Sequence, residues 1–540
     1  MNKLPFELVN EIIIYDKDNI LKLTSINKLF YSYRKNISID IDYHKICYFK
    51  TNFQFDKIYN ISTTNFSKIN NETKKISFCD TFNKKIENLP NKLTDLSFGK
   101  EFNQKLENLP NTLISLTLGA YFDKKLENLP NTLKILSLGN YFNQKLEKLP
   151  NTLENLSFGN YFNQKLENLP DLLKNLSFGD DFNQKLENLP ILLENLSFGD
   201  QFNQKIDNFP DNLTHLYFGY QFDQEIEILP KSLKSLYFHY KFNQKIKNFP
   251  NSLKYLSFGS HFNQKLDNLP NSLIFLSFGC YFNQKIDNLP DSITDLSFGN
   301  DFNQLISKLP KSLKKLYFGE KFNQPICQLP ESLTILYFGN NFNQKIYDLP
   351  KTLIKLRFGK KFNKKILSYP VSLQSLSVHC FNIDKINDLF PALKSLTIHK
   401  CYKKSIDDLP KSLTKLHFGD NFNQKINKFP EYLKKLSFGD SFNQEIPEFP
   451  DFLTVLSFGN SFNNKITKFP DSLIKLSLGS AFNQEINNLP NSLITLLLGK
   501  SFEDVINFPK SLKYVSINMR FKFLENMYPK IKFTFYESIL

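Results

Sequence analysis

The apolar residues recur with a 20-residue period from residue 81 to about residue 510. The apolar positions of the block 101–120 are Phe102, Leu106, Leu109, Leu113, Leu116 and Leu118. This spacing matches neither the 3.6-residue period of a helix nor a long run of alternation, and only residues 116–118 alternate as a short, one-sided strand does. Leu113-x-x-Leu116-x-Leu118 is typical of a leucine-rich-repeat core at the short end of its period range. Each block therefore predicts one short strand.

Proline and glycine punctuate the same repeat. Proline recurs at the same 20-residue spacing from Pro90 to Pro370, and the spacing then becomes 21 to Pro391 and 19 to Pro410. All 18 glycines follow the strand step directly, which indicates a backbone requirement, and we expect a positive φ there. No single block can bury its own Phe and Leu, so neighbouring blocks must stack. The pattern predicts a mainly β solenoid, a leucine-rich-repeat-like parallel stack of about 23 turns over residues 76–517.

A corner of each turn carries an aromatic residue followed by a polar one. Phe occupies this position in nearly every turn from Phe82 to Phe502, and Tyr402 replaces it once. We expect these rings to form a stacked spine. Asn or Asp follows, as in Asn103 and Asp123, and we expect its side chain to hydrogen-bond the backbone of the adjacent turn.

Residues 1–36 lack the repeat and show helical spacing. Leu4, Leu8 and Ile12 recur every four residues, and two further apolar groups follow at 20–23 and 26–33. They predict three short amphipathic helices, which are too small to form a core alone. The helices either present apolar surface to a partner or cap the solenoid end. Residues 37–75 are interpreted as a linker or degenerate first turns, and residues 518–540 as a C-terminal cap.

The amino-terminal pattern resembles the F-box. It reads Leu-Pro-x-Glu-Leu-x-x-x-Ile over 4–12, Ile-Leu-x-Leu over 20–23 and Ile-Asn-Lys-x-Phe over 26–30. In that family the helices dock on the Skp-type adaptor of a cullin–RING ubiquitin ligase, and a following repeat domain captures the substrate. The resemblance implies adaptor-binding residues Leu4, Pro5, Leu8, Ile12, Ile20, Leu23, Ile26 and Phe30.

The repeats resemble the FNIP family, which is named for a Phe-Asn-Ile-Pro motif. The most similar stretch is Phe-Asn-Gln-Pro at 322–325, and most turns read Phe-Asn-Gln-Lys, as at 102–105. An F-box followed by FNIP repeats is an arrangement of social amoebae and of the giant viruses that infect them. The resemblance therefore implies an intracellular protein, cytoplasmic or nuclear, which in a virus would act in the host cytoplasm as part of a host–virus interaction.

Candidate target-binding residues interrupt a row of serines. The residue between the two strand core positions should face the open side of the sheet, and it is Ser in most turns. Tyr, Arg or His replaces it in some turns, and Tyr and Arg are typical interface anchors; the alternative is drift at an exposed position. The predicted target-binding residues are Tyr217, Tyr237, Tyr317, Tyr337, Arg357 and His417, with His215, Tyr220 and Tyr240 beside the first pair.

The formal net charge is +15. Lys occupies one corner position of many turns, and in the first half an acid two residues on, as in Lys105 and Glu107, offsets it. Later turns lose many of these acids and add Lys to the sheet face, namely Lys315, Lys355, Lys415 and Lys435. An acidic partner or polyanion is therefore conceivable for the later turns, although no nucleic-acid-binding motif is present.

The sequence contains no recognisable catalytic arrangement. His379, Cys380, His399 and Cys401 lie on consecutive turns, but the close Cys pairs of a zinc site are missing and both His residues stand where Gly is usual. We therefore predict no enzyme, metal or cofactor, and the early apolar run 12–15 is too short to span a membrane. The six scattered cysteines favour a reducing compartment. The predicted function is a substrate receptor of an SCF-type ubiquitin ligase; the alternatives are a repeat scaffold without a ligase link and a polyanion binder.

Overall fold

A computed structural model describes residues 57–61, 71–326, 328–364, 366, 369–381, 389–402, 409–486, 488–504 and 507–536. The predicted F-box-like helices at 1–36 lie outside the described residues. The chain divides into two compact units. The first comprises Met1–Phe262 with Leu266–Ser272, and the second comprises Asn263–Lys265 with Leu273–Leu540.

Short strands at 20-residue intervals dominate the described part of both units. The strands of the first unit, β1 to β11 in order, are Lys57–Ile61, Lys75–Phe78, Asp95–Ser97, Ser115–Thr117, Ile135–Ser137, Asn155–Ser157, Asn175–Ser177, Asn195–Ser197, His215–Phe218, Ser235–Phe238 and Tyr255–Ser257. The strands of the second unit, β12 to β25, are Phe275–Ser277, Asp295–Ser297, Lys315–Tyr317, Ile335–Tyr337, Lys355–Arg357, Ser375–Phe381, Ser395–Tyr402, Lys415–Phe418, Lys435–Ser437, Val455–Ser457, Lys475–Ser477, Thr495–Leu497, Tyr514–Asn518 and Lys532–Tyr536.

Within each unit consecutive strands pair in parallel, and the register follows the repeat. Leu96 aligns with Leu116, and Leu116 aligns with Leu136. The central Leu is buried and its two neighbours point outward, as in Asn175-Leu176-Ser177. Counted along the chain, β2 to β24 are 23 strands and therefore mark about 22 complete turns. The predicted parallel β-solenoid is confirmed, with a turn count close to the expected one.

Two columns of Phe rings fill the core beside the leucines. Phe102 and Phe122 at the corner are both fully buried, and their ring centroids lie 6.0 Å apart at 6°. Within a turn the ring of Phe98 stacks on that of Phe102 at 3.9 Å. Burial of each such side chain contributes roughly 1.5–3 kcal/mol. The predicted aromatic spine is confirmed.

The predicted reason for the glycines is wrong. None of the glycines in the described residues has a positive φ. A Cβ added to Gly179 would instead lie 2.2 Å from the carbonyl oxygen of Gly159 in the preceding turn. Consecutive turns approach so closely here that only a residue without a side chain fits. The left-handed conformation falls on Asn residues two before the proline, including Asn88 and Asn108.

Strands lengthen where another residue takes the glycine position. Most strands that lead into glycine are three residues long, although β9 and β19 have four. β10, which leads into His239, also has four. The two strands that run through His379 and His399, β17 and β18, have seven and eight residues. The two longest strands of the described residues therefore run through a His that stands in place of glycine.

Side chains bond the turns to one another at two further positions. Asn163 Oδ1 accepts hydrogen bonds from the backbone N of Asn183 at 3.0 Å and from Gln184 Nε2 at 3.0 Å, and the same pattern recurs along both units. This confirms the predicted role of the corner Asn. A Ser or Thr two residues after the proline forms a second ladder, which the sequence reasoning missed: Thr112 Oγ1 lies 2.8 Å from the carbonyl oxygens of Asn91 and Leu93.

The uneven proline spacing near residue 391 leaves the period of the turn unchanged. Phe390 is fully buried and takes the proline position, since its carbonyl oxygen accepts from Leu393 N at 3.2 Å as that of Pro370 accepts from Leu373 N at 3.1 Å. The strands around it keep the 20-residue register. The proline is displaced by one residue within a turn of normal length.

The carboxyl end closes with a short irregular segment. A 3₁₀ helix at Met519–Phe521 and one α-helical turn, α1, at Leu524–Met527 separate β24 from β25. Asn518 begins this segment by accepting a hydrogen bond from Arg520 N at 3.1 Å. These elements occupy the stretch that the sequence assigned to a C-terminal cap. None of the described helices has the length and apolar character needed to span a membrane.

Candidate functional site

The exposed face of the sheet presents two rows of side chains. The leading row is formed by the residue before the central Leu of each strand and the trailing row by the residue after it, as Asn175 and Ser177 flank Leu176. Most of the target-binding residues predicted from the sequence lie in the trailing row; His215 and the sheet-face lysines, such as Lys355, lie in the leading row. Because a three-residue strand with a buried centre exposes both neighbours, both rows are available to a ligand.

On β6 to β8 of the first unit this face is polar and uncharged, with Asn in the leading row and Ser in the trailing row. In the leading row Asn175 Nδ2 donates to Asn155 Oδ1 and Asn195 Nδ2 donates to Asn175 Oδ1, both at 2.5 Å. In the trailing row Ser157 and Ser137 are hydrogen-bonded at 2.9 Å. A shallow depression of about 290 Å³ extends over this stretch.

Aromatic residues replace the small ones on β9 to β11. The rings of Tyr217 and Tyr237 stack at 4.9 Å and 7°, and Tyr217 is 39% exposed. Burial, with the neighbouring Tyr217 and Tyr255 hydroxyls, raises the pKa of Tyr237, so its phenol stays neutral. Ser235 is buried because the register places it between His215 and Tyr255. Tyr255 was missed, since the leading row varies from turn to turn and Tyr255 interrupts no regular pattern there.

Tyr220 and Tyr240 form a second stack in the turn that follows the strand. Their ring centroids lie 4.1 Å apart at 11°, and Tyr240 meets His261 edge-on at 4.4 Å. His215 Nδ1 lies 2.8 Å from Thr214 Oγ1. The structure thus places the five residues predicted in this part of the chain on two adjacent turns, as two separate ring stacks with His215 at the start of β9.

In the second unit the predicted residues follow the trailing row. Tyr317 and Tyr337 meet edge to face, with centroids 5.2 Å apart at 88°, and burial raises the pKa of Tyr317. Arg357 is exposed and is the register partner of Tyr337. These three residues occupy consecutive strands, β14 to β16.

His417 lies three strands further on. Its Nδ1 is 2.5 Å from Ser437 Oγ, and its ring centroid is 6.3 Å from that of His399. His399 Nε2 in turn lies 3.2 Å from Ser377 Oγ. Partial burial lowers the pKa of both imidazoles, and the charges of His379, His417 and Arg357 lower that of His399 further. Both rings are therefore mainly neutral at pH 7.

Exposed cations collect on the same face of the second unit. Lys315 is paired with Asp295 at 2.6 Å. The other face cations carry exposed side chains and have no ion pair within the described residues; they are Lys355, Arg357, Lys415, Lys435 and Lys475.

The corner lysines outside this face pair across turns. Lys105 Nζ lies 3.6 Å from Glu107 and also 3.6 Å from Glu127 of the next turn, and Lys205 reaches Glu227 at 2.8 Å. Lys105 pairs with the acid of its own turn as expected, whereas the other paired corner lysines of the described residues contact the equivalent acid of the following turn. These side chains are exposed, so each pair contributes little to stability.

The histidines and cysteines considered for zinc lie on β17 and β18. The rings of His379 and His399 are 5.5 Å apart, and Cys380 and Cys401 are Cα register partners. The part of the chain that the structure describes holds no group of three His, Cys, Asp or Glu residues arranged for a metal ion.

These features define a leucine-rich-repeat-type solenoid, a class of fold suited to protein interaction. The model of the FNIP Repeat family matches overlapping or adjoining segments that run from residue 82 to 361 and from 402 to 501. The matches cover more than half of the chain, which therefore belongs to the FNIP repeat family.

Solved structures extend the comparison. The chain is similar to CroV588, described as a novel circular LRR protein structure, with 34% identity over 92% of this chain and 97% of that chain and a TM-score of 0.62. It is also similar to YopM from Yersinia enterocolitica WA-314, with 20% identity, coverage of 82% and 91% and a TM-score of 0.43. YopM from Yersinia pestis, described as a leucine-rich effector protein, shows 21% identity, coverage of 66% and 85% and a TM-score of 0.35. No curated protein matches the chain.

Proposed function

We propose that the protein is the substrate receptor of an SCF-type ubiquitin ligase, in which residues 1–36 recruit the Skp-type adaptor and the sheet face captures a target protein. The adaptor half of the proposal rests on the F-box-like sequence pattern, which lies outside the described residues. The capture half is supported by membership of a repeat family with a leucine-rich-repeat-type fold. Ubiquitin transfer would be carried out by the ligase partners, inside the cell, and the chain itself would only bind.

The single observation that best supports binding of a target protein by the sheet face is the exposed tyrosine stack on β9 and β10. Ser is the usual residue of the trailing row, yet Tyr217 and Tyr237 present stacked rings there with Tyr255 nearby. Large aromatic side chains lose little conformational entropy on binding and bury much area, so they anchor interfaces. A fold that needs only Ser at this position has no structural use for them.

The adaptor is tested with a substitution in the first predicted helix. Leu8→Asp places a charge on the apolar stripe, and we expect it to reduce co-purification of the Skp-type adaptor at least tenfold. The solenoid should keep its circular dichroism spectrum, since its repeats lie outside residues 1–36. Ile228→Asp is the matched control because Ile228 is an apolar side chain that is 80% exposed on the solenoid. Adaptor binding that survives Leu8→Asp would contradict the proposal and favour a repeat scaffold without a ligase link.

A further inference from the structure

The exposed face of β16 to β19 in the second unit carries side chains that indicate which kind of ligand it binds. Each row of the exposed face there begins and ends with a basic or imidazole side chain and has two hydroxyls between. We call this site the basic notch: its leading row is Lys355, Ser375, Ser395 and Lys415, and its trailing row is Arg357, Ser377, Thr397 and His417.

The sheet does not require the cations of the basic notch for its formation. Lys355, Arg357 and Lys415 are exposed and have no carboxylate partner in the part of the chain that the structure describes. Ser fills the same rows on the intervening strands, so the sheet forms without these charges. Lys415 is also the register partner of Lys435 on the neighbouring strand, and two like charges about 4 Å apart repel by about 1 kcal/mol in water. A ligand of opposite charge would relieve that repulsion.

The floor of the basic notch, formed by β17 and β18 between the basic side chains, contributes hydroxyl groups, and imidazoles lie beside them. Ser377 Oγ lies 3.2 Å from His399 Nε2, and His417 Nδ1 lies 2.5 Å from Ser437 Oγ. Hydroxyls beside ammonium and guanidinium groups form charge-assisted hydrogen bonds with carboxylates. The site therefore has the chemistry of an acidic ligand.

The basic side chains on β16 and on β19 form the two walls of the basic notch, and the spacing of these walls fits an extended peptide. Three strand steps separate β16 from β19, which is about 14 Å. In an extended chain, side chains at i, i+2 and i+4 share one face, and the first and last of them are also about 14 Å apart. We propose that the basic notch binds an extended acidic segment of the target protein, with carboxylates at i and i+4 meeting its two walls. This proposal rests on the proposed function, since it names the chemistry of the captured partner.

The surroundings favour a peptide over a nucleic acid. Asp420 follows β19 and is close enough to offset part of the lowering of the pKa of His399 and His417, so a carboxylate borders this end of the trailing row, while Lys435 continues the leading row beside Lys415. A phosphate backbone that passed this end of the trailing row would be repelled by the carboxylate. Tyr317 and Tyr337 pack edge to face, and they do not form the open stacking platform that single-stranded nucleic acids use.

The basic notch also coincides with a departure from the repeat. The family matches end at residue 361 and resume at residue 402, so β17 and most of β18 lie between the matched segments. In this interval His replaces Gly and the strands lengthen, while the central leucines stay buried. The sequence is therefore least regular at the floor of the proposed site.

Fluorescence anisotropy of labelled peptides on the full chain tests the proposal. We expect a peptide with alternating Glu and Ser residues to bind at least tenfold more tightly than the same peptide with Gln in place of Glu. The variant Lys355→Ser/Lys415→Ser should lose at least tenfold of this affinity, because Ser is the residue of the same row on β17 and β18 and the fold should persist. Lys475→Ser is the matched control, since Lys475 is a cation of the same row three strands beyond Lys415.

Two results would overturn the proposal. Equal binding of the Glu and Gln peptides would mean that charge recognition is absent, and tighter binding of a single-stranded oligonucleotide of equal charge would assign the surface to nucleic acid. A peptide with Glu only at i and i+1 tests the spacing, and it should bind more weakly than one with Glu at i and i+4. None of these measurements involves the adaptor, so failure here is distinguishable from loss of adaptor binding in the Leu8→Asp experiment.

Discussion

The regular strands β6 to β8 and the irregular strands β17 and β18 use the same core with different exposed faces. Both sets have buried leucines at 20-residue spacing. On β6 to β8 the leading row consists of Asn side chains that bond one another. On β17 and β18 it consists of Ser between two lysine walls. The comparison teaches that the core positions set the period of the turn, whereas the exposed rows can change without affecting it.

The residue three positions after the central Leu of each strand is the second difference. In β6 to β8 it is glycine, and the close approach of the preceding turn leaves no space for a Cβ. In β17 and β18 it is His, and the strands continue through it for several residues. A side chain at this position therefore requires the turns to pack differently.

The largest expected loss of folding stability follows from adding a Cβ at one of the tightly packed glycines. Gly179→Ala should destabilise the fold by about 3 kcal/mol, the upper end for overpacking, because its Cβ would meet backbone atoms that cannot rotate away. His399→Ala should cost under about 1 kcal/mol, since the backbone there already accommodates a side chain. Urea unfolding midpoints of the two variants measure the difference. Equal midpoints would mean that the glycine column has no steric role.

A smaller effect should follow from the corner ladder of the regular turns. Asn163→Ala leaves the backbone N of Asn183 and the side chain of Gln184 without their acceptor, which should cost about 1 kcal/mol. Asn163→Asp is the control, because Asp123 accepts the equivalent bonds from Asn143 N at 3.0 Å and Gln144 Nε2 at 2.9 Å. The Asp variant should unfold at the wild-type urea concentration. A midpoint for Asp as low as that for Ala would show that the amide group itself is required.

The smallest effect concerns pH and is confined to the irregular region. The folded state lowers the pKa of His399 and His417, so the unfolded chain takes up protons first as the pH falls. The stability that depends on the neutral rings is complete above their ordinary pKa of about 6.5 and is lost as the pH falls through the lowered values. The variant His399→Gln/His417→Gln should therefore lose less stability than wild type between pH 7.5 and 5.5. An identical loss in both proteins would contradict this origin.

The sequence predicted what depends on local spacing. Leu113 and Leu116 predicted the strand, and the recurring Phe predicted the spine, because buried positions repeat with the period of the turn. The role of glycine could not be read in the same way: the clash at Gly179 involves an atom of the preceding turn, so it depends on how closely two turns pack. The ion pair of Lys105 with Glu127 is non-local for the same reason.

The candidate site was predicted only in part. Tyr217 and Tyr237 were found because they interrupt a row of Ser. Tyr255 was missed because the leading row varies from turn to turn and shows no such interruption. The hydroxyl floor between Lys355 and Lys415 required the parallel register, which places equivalent residues of consecutive turns side by side.

The strands around the basic notch, β16 to β19, follow one another with a register of 20 residues, so the number of turns sets the distance between side chains on the exposed face. Since each turn contacts mainly its two neighbours, removing one whole turn should leave the remaining contacts intact. Removal of the turn that contains β18 would bring the Lys355 and Lys415 walls from three strand steps to two, a change of about 5 Å. The preferred distance between acidic groups of a bound segment would shorten by the same step. Gain or loss of whole turns could in this way retune what such a protein recognises while its core stays the same.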